Sequence, residues 1–120
     1  EVPPYAKLTI GDQVSFASNT VISAEQNISI GNNSLIAEFV SIRDAEHCCL
    51  KSELVKNQSL IAEPVVIGPD VWIGRSACVL MGSHLAEGTV IGANSLIKKK
   101  TTNSYTVYVG TPVKEIAKRA

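Results

Sequence analysis

Ile67-Gly-Pro-Asp-Val-Trp72, Ile73-Gly-Arg-Ser-Ala-Cys78, Val79-Leu-Met-Gly-Ser-His84, Leu85-Ala-Glu-Gly-Thr-Val90, Ile91-Gly-Ala-Asn-Ser-Leu96 and then Ile97: a large aliphatic residue returns every six positions, six times in succession. Four of the six are followed by Gly or Ala (Gly68, Gly74, Ala86, Gly92). The positions four after the first five are Val71, Ala77, Ser83, Thr89 and Ser95, all small or β-branched. A period of six fits neither the 3.6-residue turn of a helix nor the two-residue alternation of a half-buried strand. It requires a chain that turns a corner every six residues and points one large apolar side chain inward from each flat side. That pattern specifies an all-β fold, a parallel β-helix of hexapeptide repeats, whose stacked coils bury a core that no single repeat could bury alone.

Upstream the beat is less regular. Ile10, Phe16 and Ile22 are six apart; a step of eight leads to Ile30, and Ile36 and Ile42 follow at six. From Ile42 to Ile67 is twenty-five residues, one more than four hexads, so the register breaks there. The chain therefore reads as a single domain over 1–120: an irregular lead-in over 1–9, about two coils over 10–47, a projecting loop over 48–66, and about two more coils over 67–102. A closing strand, Tyr105–Val109, and a turn at Gly110-Thr111-Pro112 come next. Val113, Ile116 and Ala117 at helical spacing after Pro112 predict a short C-terminal helix over 112–120, a lid for one end of the stack. The other end has only the lead-in to cover it. Leu35, Val40, Leu80, Val90 and Leu96 are expected to face outward and to support self-association. Interruptions of a repeat are where functional groups are expected, because loops vary while the stack holds them rigid.

Composition narrows the function classes. Lys+Arg and Asp+Glu are 11 each, so the formal net charge is zero and no field favours nucleic acid or an anionic membrane. No apolar run approaches the length of a spanning helix, and no basic segment followed by an apolar one opens the chain. The three cysteines, Cys48, Cys49 and Cys78, make no disulfide framework and point to reduced thiols in a cytoplasmic protein. A metal site would have to use His47, Cys48, Cys49 and His84, but adjacent cysteines chelate one tetrahedral ion poorly and the spacing matches no finger pattern, so no metal is expected. The two histidines differ in context. His84 occupies the sixth position of its hexad, as a surface residue would. His47 closes Ile42-Arg-Asp-Ala-Glu-His47, where the stack ends and the loop begins. Asp44 and Glu46 beside it could orient the ring, and imidazole titrates near neutrality, as a base acting on an alcohol should.

Three stretches taken together resemble the hexapeptide-repeat O-acetyltransferases: Pro64-Val-Val-Ile-Gly-Pro-Asp-Val-Trp-Ile-Gly74, Gly88-Thr-Val-Ile-Gly-Ala-Asn-Ser-Leu-Ile97, and Tyr105 followed by Val109-Gly-Thr-Pro-Val-Lys114. Galactoside, maltose and capsular or exopolysaccharide acetyltransferases are the similar groups. Ile36-Ala-Glu-Phe-Val-Ser-Ile42 followed by His47 resembles their segment ahead of the catalytic histidine. The resemblance covers roughly residues 8–116 and implies left-handed winding, against the usual right-handed crossover rule. It implies a homotrimer that binds acetyl-CoA in a groove between subunits, with a saccharide as acceptor. It further implies His47 as general base, Trp72 as a wall of the active site, and backbone contacts to the acetyl donor at Arg75 and Ala93. Lys98 and Lys99 match positions near the cofactor's phosphates; without the resemblance, Lys98-Lys99-Lys100 reads as a solvated charge run. Asn19 and Glu25 lie where relatives hold the acceptor sugar. Arg43, Asp44 and Glu46 replace small or polar residues common in relatives, which charges the pocket and marks Asp44 as a further substrate contact. The N-terminal helical segment of the galactoside and maltose enzymes has no counterpart here, which favours a unit of a surface polysaccharide, or its lipid-linked precursor, over a small free sugar.

The reading is direct acetyl transfer to a saccharide hydroxyl. An acyl-enzyme on Cys48 or Cys49 is disfavoured because nothing activates either thiol. An amine or serine acceptor would serve the same base. A γ-type carbonic anhydrase shares the β-helix but needs three metal-binding histidines, and the chain has two. A non-catalytic scaffold is the alternative from another class.

Overall fold

The computed structural model describes all 120 residues. Each inward aliphatic of the repeat forms a short strand with its neighbour, and three strands make one coil. The first coil contains β1 (Lys7–Ile10), β2 (Ser15–Phe16) and β3 (Val21–Ser23); the second contains β4 (Asn27–Ile30), β5 (Leu35–Ile36) and β6 (Ser41–Arg43). A hairpin, β7 (Ala45–His47) and β8 (Leu60–Ala62), then leaves the stack. The third coil holds β9 (Val65–Ile67), β10 (Trp72–Ile73) and β11 (Cys78–Val79), and the fourth β12 (His84–Leu85), β13 (Val90–Ile91) and β14 (Leu96–Ile97). β15 (Thr106–Gly110) and β16 (Val113–Lys118) close the chain. Corresponding strands of successive coils pair in parallel, which gives a three-sided prism. One face is β1-β4-β9-β12, the second β2-β5-β10-β13-β15-β16, the third β3-β6-β11-β14.

The register places like on like. Ile10, Ile30, Ile67 and Leu85 stack on the first face; Phe16, Ile36, Ile73, Ile91 and Tyr108 on the second; Ile22, Ile42, Val79 and Ile97 on the third. Ile36, Ile73, Ile91, Ile42 and Ile97 are fully buried, each stabilising the fold by about 1.5–3 kcal/mol relative to exposure. The corners obey the same period. Gln13, Asn19, Asn33, Phe39, Asp70, Ser76, Gly82, Gly88 and Asn94 all have φ between 55° and 74°, and each stands three residues after an inward apolar residue of the repeat. Asn and Asp take this left-handed conformation more readily than other non-glycine residues. Gly88 is needed for a second reason: a Cβ there would enter the ring of Tyr105. The small residue four after each aliphatic turns inward at the corner, and its hydroxyl is satisfied. Ser34 donates to the Gly68 carbonyl, Ser83 to that of Leu80, and the hydroxyls of Thr89 and Thr102 pair at 2.7 Å. No buried side-chain polar atom lacks a partner.

Three expectations are corrected. Residues 113–118 form a strand rather than a helix. β16 runs antiparallel along β15, whose outer edge would otherwise present unpaired N–H and C=O groups, and that demand outweighs a helix too short to be stable alone. The projecting loop is narrower than 48–66, because β8 and β9 reclaim Leu60–Ala62 and Val65–Ile67; a single 3₁₀ turn, Val55–Asn57, lies between. Val40 is buried at a corner, whereas Leu35 is 48% exposed and Leu80, Val90 and Leu96 are half-buried on the outer faces. The N-terminal end is thinly covered, as its short lead-in suggested: Ile10 and Phe16, inward by pattern, are 44% and 40% exposed. No helix is long and apolar enough to cross a membrane.

Candidate active site

The step of eight and the step of twenty-five fall at one corner of the prism, between the third face and the first. In the first coil the longer step makes room for the turn Glu25-Gln26-Asn27. In the second it opens into the β7–β8 hairpin, which carries His47 opposite Leu60. The imidazole of His47 is exposed. Neither neighbouring carboxylate orients it: Glu46 accepts a hydrogen bond from Lys98 Nζ at 2.6 Å, and Asp44 is turned into the stack.

Asp44 departs most from its expected place at a substrate. It is fully buried, and its two carboxylate oxygens accept the backbone N–H groups of Glu25 at 2.7 Å, Gln26 at 2.8 Å and Asn27 at 2.7 Å. Its own N–H donates to the Ser23 carbonyl, and its carbonyl accepts from Glu63. The charge is thus satisfied by backbone donors, as a buried carboxylate requires. Glu25 lies on the clamped turn, and its carboxylate accepts the Tyr5 hydroxyl. That hydrogen bond, with lesser contributions from desolvation and the nearby carboxylates, raises the Tyr5 hydroxyl above the ordinary tyrosine range.

Lys98 and Lys99 reach the same corner two coils further on. Lys98 pairs with Glu46, and Lys99 with Glu63 at 3.1 Å. Both pairs are substantially exposed, so each contributes at most about 1 kcal/mol and gives way readily to a stronger anion. Lys100 instead lies over the Tyr108 ring.

Trp72, Arg75 and Ala93 come together elsewhere. They line a groove of about 400 Å³ with Glu38, Val90 and Val107, along the edge between the second and third faces. Trp72 is 51% exposed on the outer face of β10 and also walls a second hollow of about 610 Å³, rimmed by Asp70 and Arg119. Neither the Arg75 nor the Ala93 backbone N–H has a partner within the chain. The Arg75 guanidinium approaches Glu38 at 3.7 Å and lies 5.9 Å over the Phe39 ring. Asn19 is on this edge too, but in the first coil, in a shallow depression with Ile10, Phe16 and Ile22 at the open end.

The expected residues therefore divide between two corners. Glu25, His47, Lys98 and Lys99 share one; Arg75, Ala93 and Asn19 share the other, with the third face between them. No cavity of the chain is lined by both sets. Residues not singled out from sequence also matter here: Glu38 in the groove, Glu63 on Lys99, and Arg119, which bonds Asp70 and the Gly88 carbonyl and covers Tyr105. Their partners are distant in sequence, so no local pattern marked them.

No protein-family model matches the chain. Over 113 residues it is 34% identical to a protein of Mycobacterium tuberculosis named as a probable acetyltransferase, an alignment covering 93% of this chain and 37% of that one. Over 115 residues it is 33% identical to a protein of Escherichia coli (strain K12), provisionally named as the lipopolysaccharide biosynthesis O-acetyl transferase WbbJ, covering 89% of this chain and 58% of that one. The chain thus spans roughly four- to six-tenths of these relatives' lengths. Among solved structures, a galactoside acetyltransferase in complex with coenzyme A superposes with a TM-score of 0.71 at 25% identity, over 92% of this chain and 64% of that one. The winding is that of the left-handed β-helix acetyltransferases. On shared repeats, shared coils and the sequence match along nine-tenths of its length, this chain is similar to the acetyltransferases of the hexapeptide-repeat family.

Proposed function

We propose that the chain is the catalytic β-helix of an acetyl-CoA-dependent O-acetyltransferase that modifies a saccharide hydroxyl during surface polysaccharide synthesis in the cytoplasm. The observation that carries the reading is the groove walled by Trp72 and lined by Arg75 and Ala93, whose two amides have no partner in the chain. A narrow, largely apolar channel edged by free amide donors suits a pantetheine arm. The coenzyme A bound to the galactoside acetyltransferase and the polysaccharide role in the name of the Escherichia coli relative support the same assignment.

His47 serves as general base. It accepts the proton of the acceptor hydroxyl as that oxygen bonds to the thioester carbonyl carbon, and returns the proton to the departing sulfur as the C–S bond breaks. The amide of Arg75 donates to the developing oxyanion. Much of the rate comes from holding acceptor and thioester in line. Because His47 and the groove lie on different corners, the complete site is assembled from His47 of one subunit and the Trp72 groove of its neighbour in a homotrimer. Lys98 and Lys99 exchange Glu46 and Glu63 for the cofactor's phosphates, whose higher charge outcompetes an exposed carboxylate. Glu25 and Asn19 contribute on the acceptor side.

The test is release of CoA, followed chromatographically, from acetyl-CoA with a panel of methyl glycosides and surface oligosaccharides. His47→Ala is expected to lower turnover by about 10²–10⁴-fold while acetyl-CoA still binds by calorimetry. Full turnover in His47→Ala would remove the base assignment, and no binding of acetyl-CoA by the unaltered protein would favour a scaffold.

A further inference from the structure

Asp44 is the one fully buried ionisable side chain in the protein, and it is three residues from His47. Its carboxylate spans 17 to 19 residues of sequence to gather three consecutive backbone N–H groups of the first coil. Those N–H groups belong to the two-residue enlargement between Ile22 and Ile30. The next residue, Ala45, begins β7, and the carbonyl of Asp44 itself accepts the N–H of Glu63, where the hairpin returns to the stack. One side chain therefore joins the two irregular features of the molecule. Both are insertions relative to the hexads, and the repeat's ladder holds the first of them at one edge only, where the Gln26 carbonyl accepts the N–H of Lys7 and Asn27 lies opposite Lys7. An apolar residue of equal volume would fill the space but leave three consecutive backbone N–H groups without their acceptor.

We propose that Asp44 is a positioning residue. By clamping Glu25-Gln26-Asn27 against the base of the β7–β8 hairpin, it fixes where His47 stands relative to the acceptor side of the site. This rests on the reading of His47 as the base. Asp44 touches neither substrate; it acts through the turn and the hairpin. Its carboxylate accepts at both oxygens, and an amide of the same shape cannot, because its NH₂ would face N–H donors. The role therefore belongs to the charge and its two acceptor oxygens, not to side-chain volume.

The experiment uses the full chain with Asp44→Asn, His47→Ala and the double variant. CoA release is measured with the best acceptor from the glycoside and oligosaccharide panel and with water alone, alongside amide hydrogen exchange resolved to residues 24–27 and 45–62. Asp44→Asn is expected to lower turnover about tenfold or more with the KM for acetyl-CoA changed less than about twofold. It should add no further loss in the His47→Ala background, since residues acting as one unit are non-additive. Exchange at Glu25–Asn27 and along the hairpin should quicken together, while Ile73 and Ile91 in the middle coils stay protected. Multiplying losses in the double variant, or hairpin exchange unchanged when the turn loosens, would overturn the proposal. Turnover that falls only in step with the folded fraction would also overturn it, by reducing Asp44 to a stability role. Should Asp44→Asn fail to fold, an amide-to-ester replacement at Asn27 removes one donor and leaves the carboxylate in place. The same paired loosening is expected of it, and its absence counts against the clamp. If His47→Ala retains turnover, the base reading fails by itself, and the exchange data still decide whether Asp44 couples turn to hairpin.

Discussion

Ile73 and Ile10 hold the same place in the hexad and have unequal surroundings. Ile73 is fully buried between Ile36 and Ile91, whereas Ile10 lies at the open end and is 44% exposed. Truncation to alanine should therefore cost about 2–5 kcal/mol at Ile73 and a small fraction of that at Ile10, measured by urea denaturation. Equal losses would mean that the first coil is covered in solution. Apart from Val40, expected outward and buried at a corner, the inward positions were legible residue by residue, because a side chain's facing depends on its place in the hexad. The charged residues were not. Asp44 and Glu46 stand just before His47 and looked suited to orienting its ring, yet one is consumed by backbone N–H groups and the other by Lys98.

At the level of elements, the two ends of the chain are treated differently. β16 covers the edge of β15, and Arg119 fastens its end to Asp70 at 3.1 Å and to the Gly88 carbonyl at 3.1 Å. Removing residues 112–120 should expose a strand edge and give association that grows with protein concentration, seen by light scattering; a truncated chain that scatters no more than the intact one would show that the edge needs no cover. Val113, Ile116 and Ala117 have helical spacing in sequence, but six residues gain more by completing a ladder than by forming an isolated turn and a half. The hairpin was legible only as a gap in the beat. Its strands pair Ala45–His47 with Leu60–Ala62, a local antiparallel match hidden within coils whose own strands pair in parallel.

For the whole molecule, the division of the proposed site between two corners makes a strong demand on assembly. If His47 of one subunit faces the Trp72 groove of another, His47→Ala and a variant that blocks the groove, Ala93→Trp, should each be inactive alone. Mixing the two under conditions that exchange subunits should restore a measurable share of the unaltered activity, and sedimentation should give a trimer. No recovery on mixing, with exchange verified, would place the whole site within one chain.

The hexad period alone determined that the chain coils, which side chains turn inward, where the corners fall, and that one corner is interrupted twice. These follow from sequence because they depend on the conformation of six residues at a time. Only the tertiary structure decided what meets at that corner. Asp44 reaches 17 to 19 residues back, and Lys98 meets Glu46 across 52 residues, because stacking brings distant coils into register after insertions of different length. Periodicity is a local property; which charge faces which backbone donor depends on how far each coil has been displaced by the residues inserted before it.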